Sequence, residues 1–288
     1  MERHDVLENM SPQSEELNAS QGLYVVALLD LLGYGDLVNE FQEKPEVIEG
    51  IESVFAGTLK LMEGIKSAPL GERSAAWRLI AERISCRLIS DTAIITMPFA
   101  DLPKLSEDMN PTENTAICME AFLDSVCPFF LMIAGKTGYF FRGGIALNQH
   151  YESASFSNRN LFVFSKAIVE AATLMKKEQQ SGMPRILLTD CLVQSLQGSG
   201  PDNPLEQDGW IFAEEGHWVL SVYNAIPAAE EYKEKTSRLL SDIRSGLQGQ
   251  VKKHGHGPDV AKKYRWLVDY HNKQTSERLH CSELTIAI

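Results

Sequence analysis

Two aspartates and an arginine are the residues of this 288-residue chain whose surroundings point to chemistry. Asp30 closes the apolar run Tyr24-Val25-Val26-Ala27-Leu28-Leu29, and Leu31-Leu32-Gly33-Tyr34-Gly35 follows it. Asp91 comes after Ser90, between the apolar stretches 84–89 and 92–97. Arg142 precedes Gly143-Gly144-Ile145-Ala146-Leu147. A carboxylate beside a buried strand is costly unless it is paired or holds a metal. Two carboxylates facing one pocket repel, and a divalent cation relieves that repulsion. Magnesium takes one or two carboxylates and completes its shell with water and substrate phosphates. Gly33 and Gly35, in a turn that opens a helix, would offer backbone N–H groups to phosphate. Arg142 has two readings, pairing with a buried carboxylate or contacting a substrate. Gly143-Gly144 reads either as a bulge or as a place of close approach.

Positioning these groups requires a sheet. The run ending at Asp30 is too continuous for a half-exposed strand and too short for a membrane span, so it reads as a strand buried in mid-sheet. Ile84 to Met97 reads as two short strands joined by a tight turn at Ser90-Asp91. Tyr139 to Leu147 and Arg185 to Thr189 are further strands, the second ending at Asp190. Residues 210–213 and 218–223 form a hairpin. Helical periodicity runs from Asp36 to about Lys66, then over Arg73–Arg83, from Asn114 to about Ile133 and from Phe162 to about Glu178. Residues 67–71, 98–111 and 148–160 read as loops, and Gly135 and Gly138 mark a helix exit.

The order is strand, helix, strand-turn-strand, helix, strand, helix, strand, which is the βαββαβ order of a ferredoxin-like palm. The fold class expected is therefore α+β, a mainly antiparallel sheet with helices on one face. It divides into a flexible tail (1–20), a palm (21–225) and a C-terminal helical extension (226–288) with helices near 227–250 and 259–279. In that topology the first strand lies beside the hairpin, so Asp30 and Asp91 converge. Trp266, Tyr270 and His271, on one helical face, dock the extension onto the palm.

Composition narrows the partners. A net charge of -12 and a pI near 5.1 argue against a protein that coats DNA or RNA duplexes or an anionic membrane. Five widely spaced cysteines without a CxxC pair indicate neither a disulfide framework nor a zinc knuckle, and point to the cytoplasm. Cys86 and Cys191 read as core thiols. The apolar stretch Ala121 to Ala134 is too short to span a bilayer and reads as a buried helix. His254 and His256 read as part of a solvated turn or as metal ligands, and the lysines at 252, 253, 262 and 263 with Arg265 as a solvated face or a phosphate-reaching patch.

The pattern Asp30-Leu31-Leu32-Gly33-Tyr34, Ser90-Asp91 and Arg142-Gly143-Gly144-Ile145 resembles that of the class III nucleotidyl cyclase superfamily, over roughly residues 22–225. The chain as a whole looks like poorly characterised bacterial cyclase-like proteins that end in Lys263-Tyr264-Arg265-Trp266-Leu267-Val268-Asp269-Tyr270-His271-Asn272. Bacterial antiphage pyrimidine cyclases belong to the same superfamily. The resemblance implies a metal-dependent cyclase that converts a nucleoside triphosphate to a cyclic nucleotide signal and pyrophosphate. It also implies two ions, Mg2+ or Mn2+, held by Asp30, Asp91 and the Leu31 carbonyl. Leu31 to Gly35 would cradle the phosphates, and a homodimer would complete the site. The family's transition-state asparagine and arginine align with Val169 and Thr173 here, a departure that leaves Lys166, Arg142 and Arg159 as candidate cations. The alternative is an inactive, cyclase-like nucleotide sensor.

Overall fold

The computed structural model describes residues 19–35, 38, 45–46, 49–53, 55–57, 60, 78–155, 160–197, 203–254 and 258–287. Among the described residues, eight strands form one sheet in the order β2-β3-β1-β4-β6-β8-β7, with β5 paired to β4 alone. They are β1 (Ala19–Leu31), β2 (Ser85–Ile89), β3 (Thr92–Pro98), β4 (Phe141–Ser155), β5 (Asn160–Ser165), β6 (Ile186–Leu188), β7 (Ile211–Glu214) and β8 (His217–Leu220). Every pairing is antiparallel except β4 with β6. The helices whose bounds lie wholly among the described residues are α1 (Pro111–Thr137), α2 (Lys166–Ser181), α3 (Asp190–Leu196), α4 (Pro204–Gln207), α5 (Lys233–His254) and α6 (Pro258–Lys273). The expected α+β class and the mainly antiparallel sheet are present, and two C-terminal α-helices occupy 233–254 and 258–273 where 227–250 and 259–279 were expected.

Side-chain alternation along β1 sets the two faces. Val25, Ala27, Leu29 and Leu31 point into the main core with the α1 residues Phe122, Val126 and Phe129. Leu28 points the other way, into a smaller cluster with Ala146 of β4 and Ala171 of α2. Helices therefore cover both faces rather than the single face expected. Close contact makes this possible: a Cβ on Gly144 would come within 2.2 Å of the Ala171 carbonyl oxygen, and one on Gly143 within 2.4 Å of the Leu28 oxygen. The glycine pair is a place of close approach.

Four sequence expectations shift. Residues 148–155 are not a loop, because β4 continues to Ser155 and pairs with a β1 that starts at Ala19, inside the segment read as a tail; residues 156–159 lie outside the described residues. The run from Asn160 is strand β5, and α2 begins only at Lys166, where the Ser165 side chain accepts a hydrogen bond from the Ile168 amide. Gly135 lies within α1, against Leu239 and Ile243 of α5, and not at a helix exit. α1 itself has 27 residues and is long and apolar enough to cross a membrane, although 67% of its most apolar window is buried within the protein. Residues 1–18, most of the 36–66 helix, residues 73–77 of the 73–83 helix, the 67–71 loop, Arg159 and His256 lie outside the described residues, while 78–81 are helical. Within the first of these helices, Ile51 and Phe55 are buried, with the Phe55 ring against Phe129 and Phe141.

Candidate nucleotide and metal site at the sheet end

The register places Asp30 between its two neighbours, opposite Thr92 of β3 and Arg142 of β4. The Leu31 amide then donates to the carbonyl of Asp91, which fixes the hairpin turn beside the end of β1. Ile89 pairs with Thr92, so Ser90-Asp91 is a two-residue loop, and Ser90 takes φ 58°. A positive φ at that position suits glycine, and serine adopts it under strain. The Ser90 hydroxyl donates to the Tyr34 hydroxyl at 3.1 Å, tying the hairpin to the segment after β1.

Arg142 donates to Oδ2 of Asp30 from both Nε (2.9 Å) and Nη2 (2.6 Å). Both side chains are mostly buried, 17% and 16% exposed. The sequence left two readings of Arg142, and in this structure it pairs with the carboxylate. Burial raises the Asp30 pKa above the ordinary value; Arg142 opposes the rise and the nearby Asp91 carboxylate adds to it. The guanidinium pairs with Asp30, and Asp91 brings a second negative charge near it.

The turn after β1 is built on Gly33, whose φ of 82° is open to glycine at little cost. The Leu32 amide donates to the Phe140 carbonyl at 2.8 Å, and helical backbone begins at Tyr34 and Gly35. Amides in the first turn of a helix have no intrahelical acceptor and suit an anion. Leu31, Leu32, Gly33, Tyr34 and Gly35 therefore stand at the same end of the sheet as the carboxylates.

Lys166 does not join them. It opens α2, 67% exposed and 4.0 Å from Glu170, which accepts a hydrogen bond from Asn148. Asn148 lies six residues along β4 from Arg142, about 20 Å of strand. Val169 is 63% exposed, and the Thr173 hydroxyl donates back to the Val169 carbonyl. Neither position supplies a charge.

Sequence reasoning missed a second polar group on the Asp30 face. Arg87 of β2 pairs with Glu152, which lies 3.4 Å from the buried His150, whose ring packs against Tyr24. Burial lowers the His150 pKa, partly opposed by Glu152. Arg142, Asn148, His150 and Glu152 are alternate residues of one strand, a signal hidden by ending β4 at Leu147. Cys86 is half-buried, its thiol pushed up to about 12 by burial, as expected of a core thiol, whereas Cys191 is exposed on α3 and is not one. His254 stacks on Tyr264.

The donor set fits a hard divalent cation: two carboxylates and backbone oxygen at a strand end. Among the described residues no group of three or more His, Cys, Asp or Glu side chains forms a metal cluster, so further ligands would be phosphate or water. The fold and site together define an α+β palm with paired carboxylates at the end of its central strand. No protein-family model matches the sequence, and no curated protein sequence is similar to it. Similar solved structures are bacterial cyclases. One is a bacterial light-regulated adenylyl cyclase, 12% identical, with 77% of this chain and 99% of that chain covered and a TM-score of 0.41. Another is an adenylyl cyclase from P. aeruginosa, 11% identical, covering 71% and 97%, with a TM-score of 0.41. A guanylyl cyclase is 8% identical over 70% and 93%, with a TM-score of 0.39. The likeness is one of fold, and any chemistry has to come from this chain's own residues.

Proposed function

We propose that this chain binds a nucleoside triphosphate at the β1–β3 end of the sheet and cyclises it, releasing a cyclic nucleotide and pyrophosphate. The observation that carries the reading is the convergence of Asp30 and Asp91 beside the Gly33 turn. Asp30, Asp91 and the Leu31 carbonyl would hold Mg2+ or Mn2+, two ions with substrate bound, which would supply charge neutralisation for the attacking and departing oxygens. Arg142 fixes the Asp30 carboxylate and offsets part of its repulsion with Asp91. The Tyr34 and Gly35 amides would receive terminal phosphate oxygens. A homodimer would bring the second wall of the site.

The test is incubation of the purified chain with each of the four nucleoside triphosphates and Mn2+, followed by mass spectrometry for a cyclic product and assay of pyrophosphate. Product that disappears in Asp30→Ala and Asp91→Ala is expected. Absence of product from all four, with the chain dimeric, overturns cyclisation.

One observation favours a second reading, a nucleotide sensor without turnover. The exposed Val169 and Thr173 give α2 no transition-state cation, and loss of such a group costs roughly a hundredfold to a thousandfold in rate. Saturable triphosphate binding that requires Asp91, with no product, would select it.

A further inference from the structure

A cavity of about 680 Å3 opens at the β7 edge of the sheet, the edge opposite the β2–β3 hairpin. That volume suits a small ligand. Its wall is a ladder of rings: Phe212 stacks on Tyr270 at 6.1 Å and 26°, and Tyr270 on Trp266 at 5.0 Å and 15°. Among the described residues, the Tyr270 hydroxyl, buried beside Ser221, completes no well-formed hydrogen bond.

Charge around this wall is unbalanced. Glu214 and Arg278 line the cavity, but both are engaged. Glu214 accepts from Arg185 and from the Trp266 indole, and Arg278 donates to the carbonyls of Tyr223, Asn224 and Ile226. Among the described residues, that leaves the exposed carboxylates Glu206, Asp208 and Asp269 with Lys273 as the one remaining lining cation. None of the three carboxylates has an ion-pair partner among the described residues.

An aromatic wall under excess negative charge selects an organic cation. A guanidinium fits it best, because it is planar, weakly hydrated, stacks on indole and phenol rings, and turns several N–H donors towards carboxylates. Phosphate-bearing ligands are disfavoured by the same carboxylates. We propose that this cavity is a binding site for a guanidinium group, carried by a small free compound or by an arginine side chain in a peptide. The site is separate from the one assigned to the triphosphate, and its test does not depend on that assignment.

The experiment is titration calorimetry of the full chain at low salt with three probes. Agmatine represents the free compound, acetyl-Gly-Arg-Gly-amide the peptide-borne side chain, and N-butylurea is a planar group without charge. Saturable binding of at least one guanidinium probe, with Kd of about 0.1–1 mM, and none of the urea is expected. The tighter of the two guanidinium probes identifies the source. The Asp208→Asn/Asp269→Asn variant, both positions being exposed, should melt like the parent and bind about tenfold more weakly. Lys273→Ala should bind more tightly, since it removes a like charge. The proposal is overturned by no saturation with either guanidinium probe up to about 20 mM. Equal binding of butylurea, undiminished binding in the double variant, or binding in Lys273→Ala that is no tighter than the parent's would overturn it equally.

Discussion

The two ends of the sheet treat buried charge in opposite ways. Next to β7, Arg185 is 2% exposed and its guanidinium meets three carboxylates, Glu178, Glu214 and Glu215. Nearby, the fully buried His271 is answered on both nitrogens, by the Tyr223 hydroxyl at 2.8 Å and the Leu284 carbonyl at 3.1 Å. At the β1–β3 end, one arginine meets one oxygen of Asp30 while Asp91 adds a second negative charge. In the first, the buried guanidinium is saturated by one buried carboxylate and by Glu214 and Glu215, which reach solvent, while the Trp266 indole and the His271 ring tie the C-terminal extension to the palm. In the second, the surplus carboxylate stands at a strand end beside the Gly33 turn, where a cation from outside can neutralise it.

That contrast breaks or holds on measurable differences. The largest effect is expected from Arg185→Met, which leaves Glu178 buried without a partner and should cost about 3–5 kcal/mol in urea denaturation. Arg142→Met should cost less, about 1–2 kcal/mol, because the sheet end is open to water and ions. Equal losses would erase the distinction between the two ends.

A half-buried carboxylate with no ion-pair partner among the described residues sharpens the point. Burial lifts the pKa of Asp124, on α1, to about 6. The native state therefore holds this proton more tightly than the unfolded chain does, and its contribution to stability falls as pH rises from about 4 to about 6. Asp124→Asn should be neutral at pH 4 and stabilising by up to about 2 kcal/mol at pH 7, read by denaturation at the two values. His271 runs the other way. Burial lowers its pKa, so its contribution is full at neutral pH and is lost as pH falls below about 6.5, where the unfolded chain takes up the proton. Tyr223→Phe removes the donor to its ring and should cost about 1–2 kcal/mol by the same assay. The smallest change is expected from Ser90→Gly, which relieves the positive φ and should raise stability by about 0.5–1 kcal/mol. A loss there would mean that the hydroxyl contact with Tyr34 outweighs backbone strain.

Much of this arrangement was legible in the chain. The apolar run before Asp30, the Ser90-Asp91 turn and the α1 periodicity are local signals, and the elements they announce are present, with boundaries shifted by a few residues. The β4–β5 arm was not legible. Its distal half is rich in polar residues and forms a strand because β1 and β5 supply backbone partners on either side. The wrong end of β4 hid the Arg87–Glu152–His150 group. The β7-edge cavity was invisible for a related reason, since Trp266 and Tyr270 were read only as docking residues, and two of the three carboxylates around them, Glu206 and Asp208, come from another part of the chain.

The sequence by itself determined where charge meets a strand end and where glycine permits a turn, because those follow from short-range sterics and from the price of burying a carboxylate. Tertiary structure decided which charges answer one another. Arg142 reaches Asp30 through cross-strand register, α2 takes the opposite face because Gly144 lets Ala171 approach, and the carboxylates beside Trp266 gather only when the last helix packs on the last hairpin. Register and packing join residues more than a hundred positions apart, as they do for Asp30 and Arg142, and no local pattern encodes that distance.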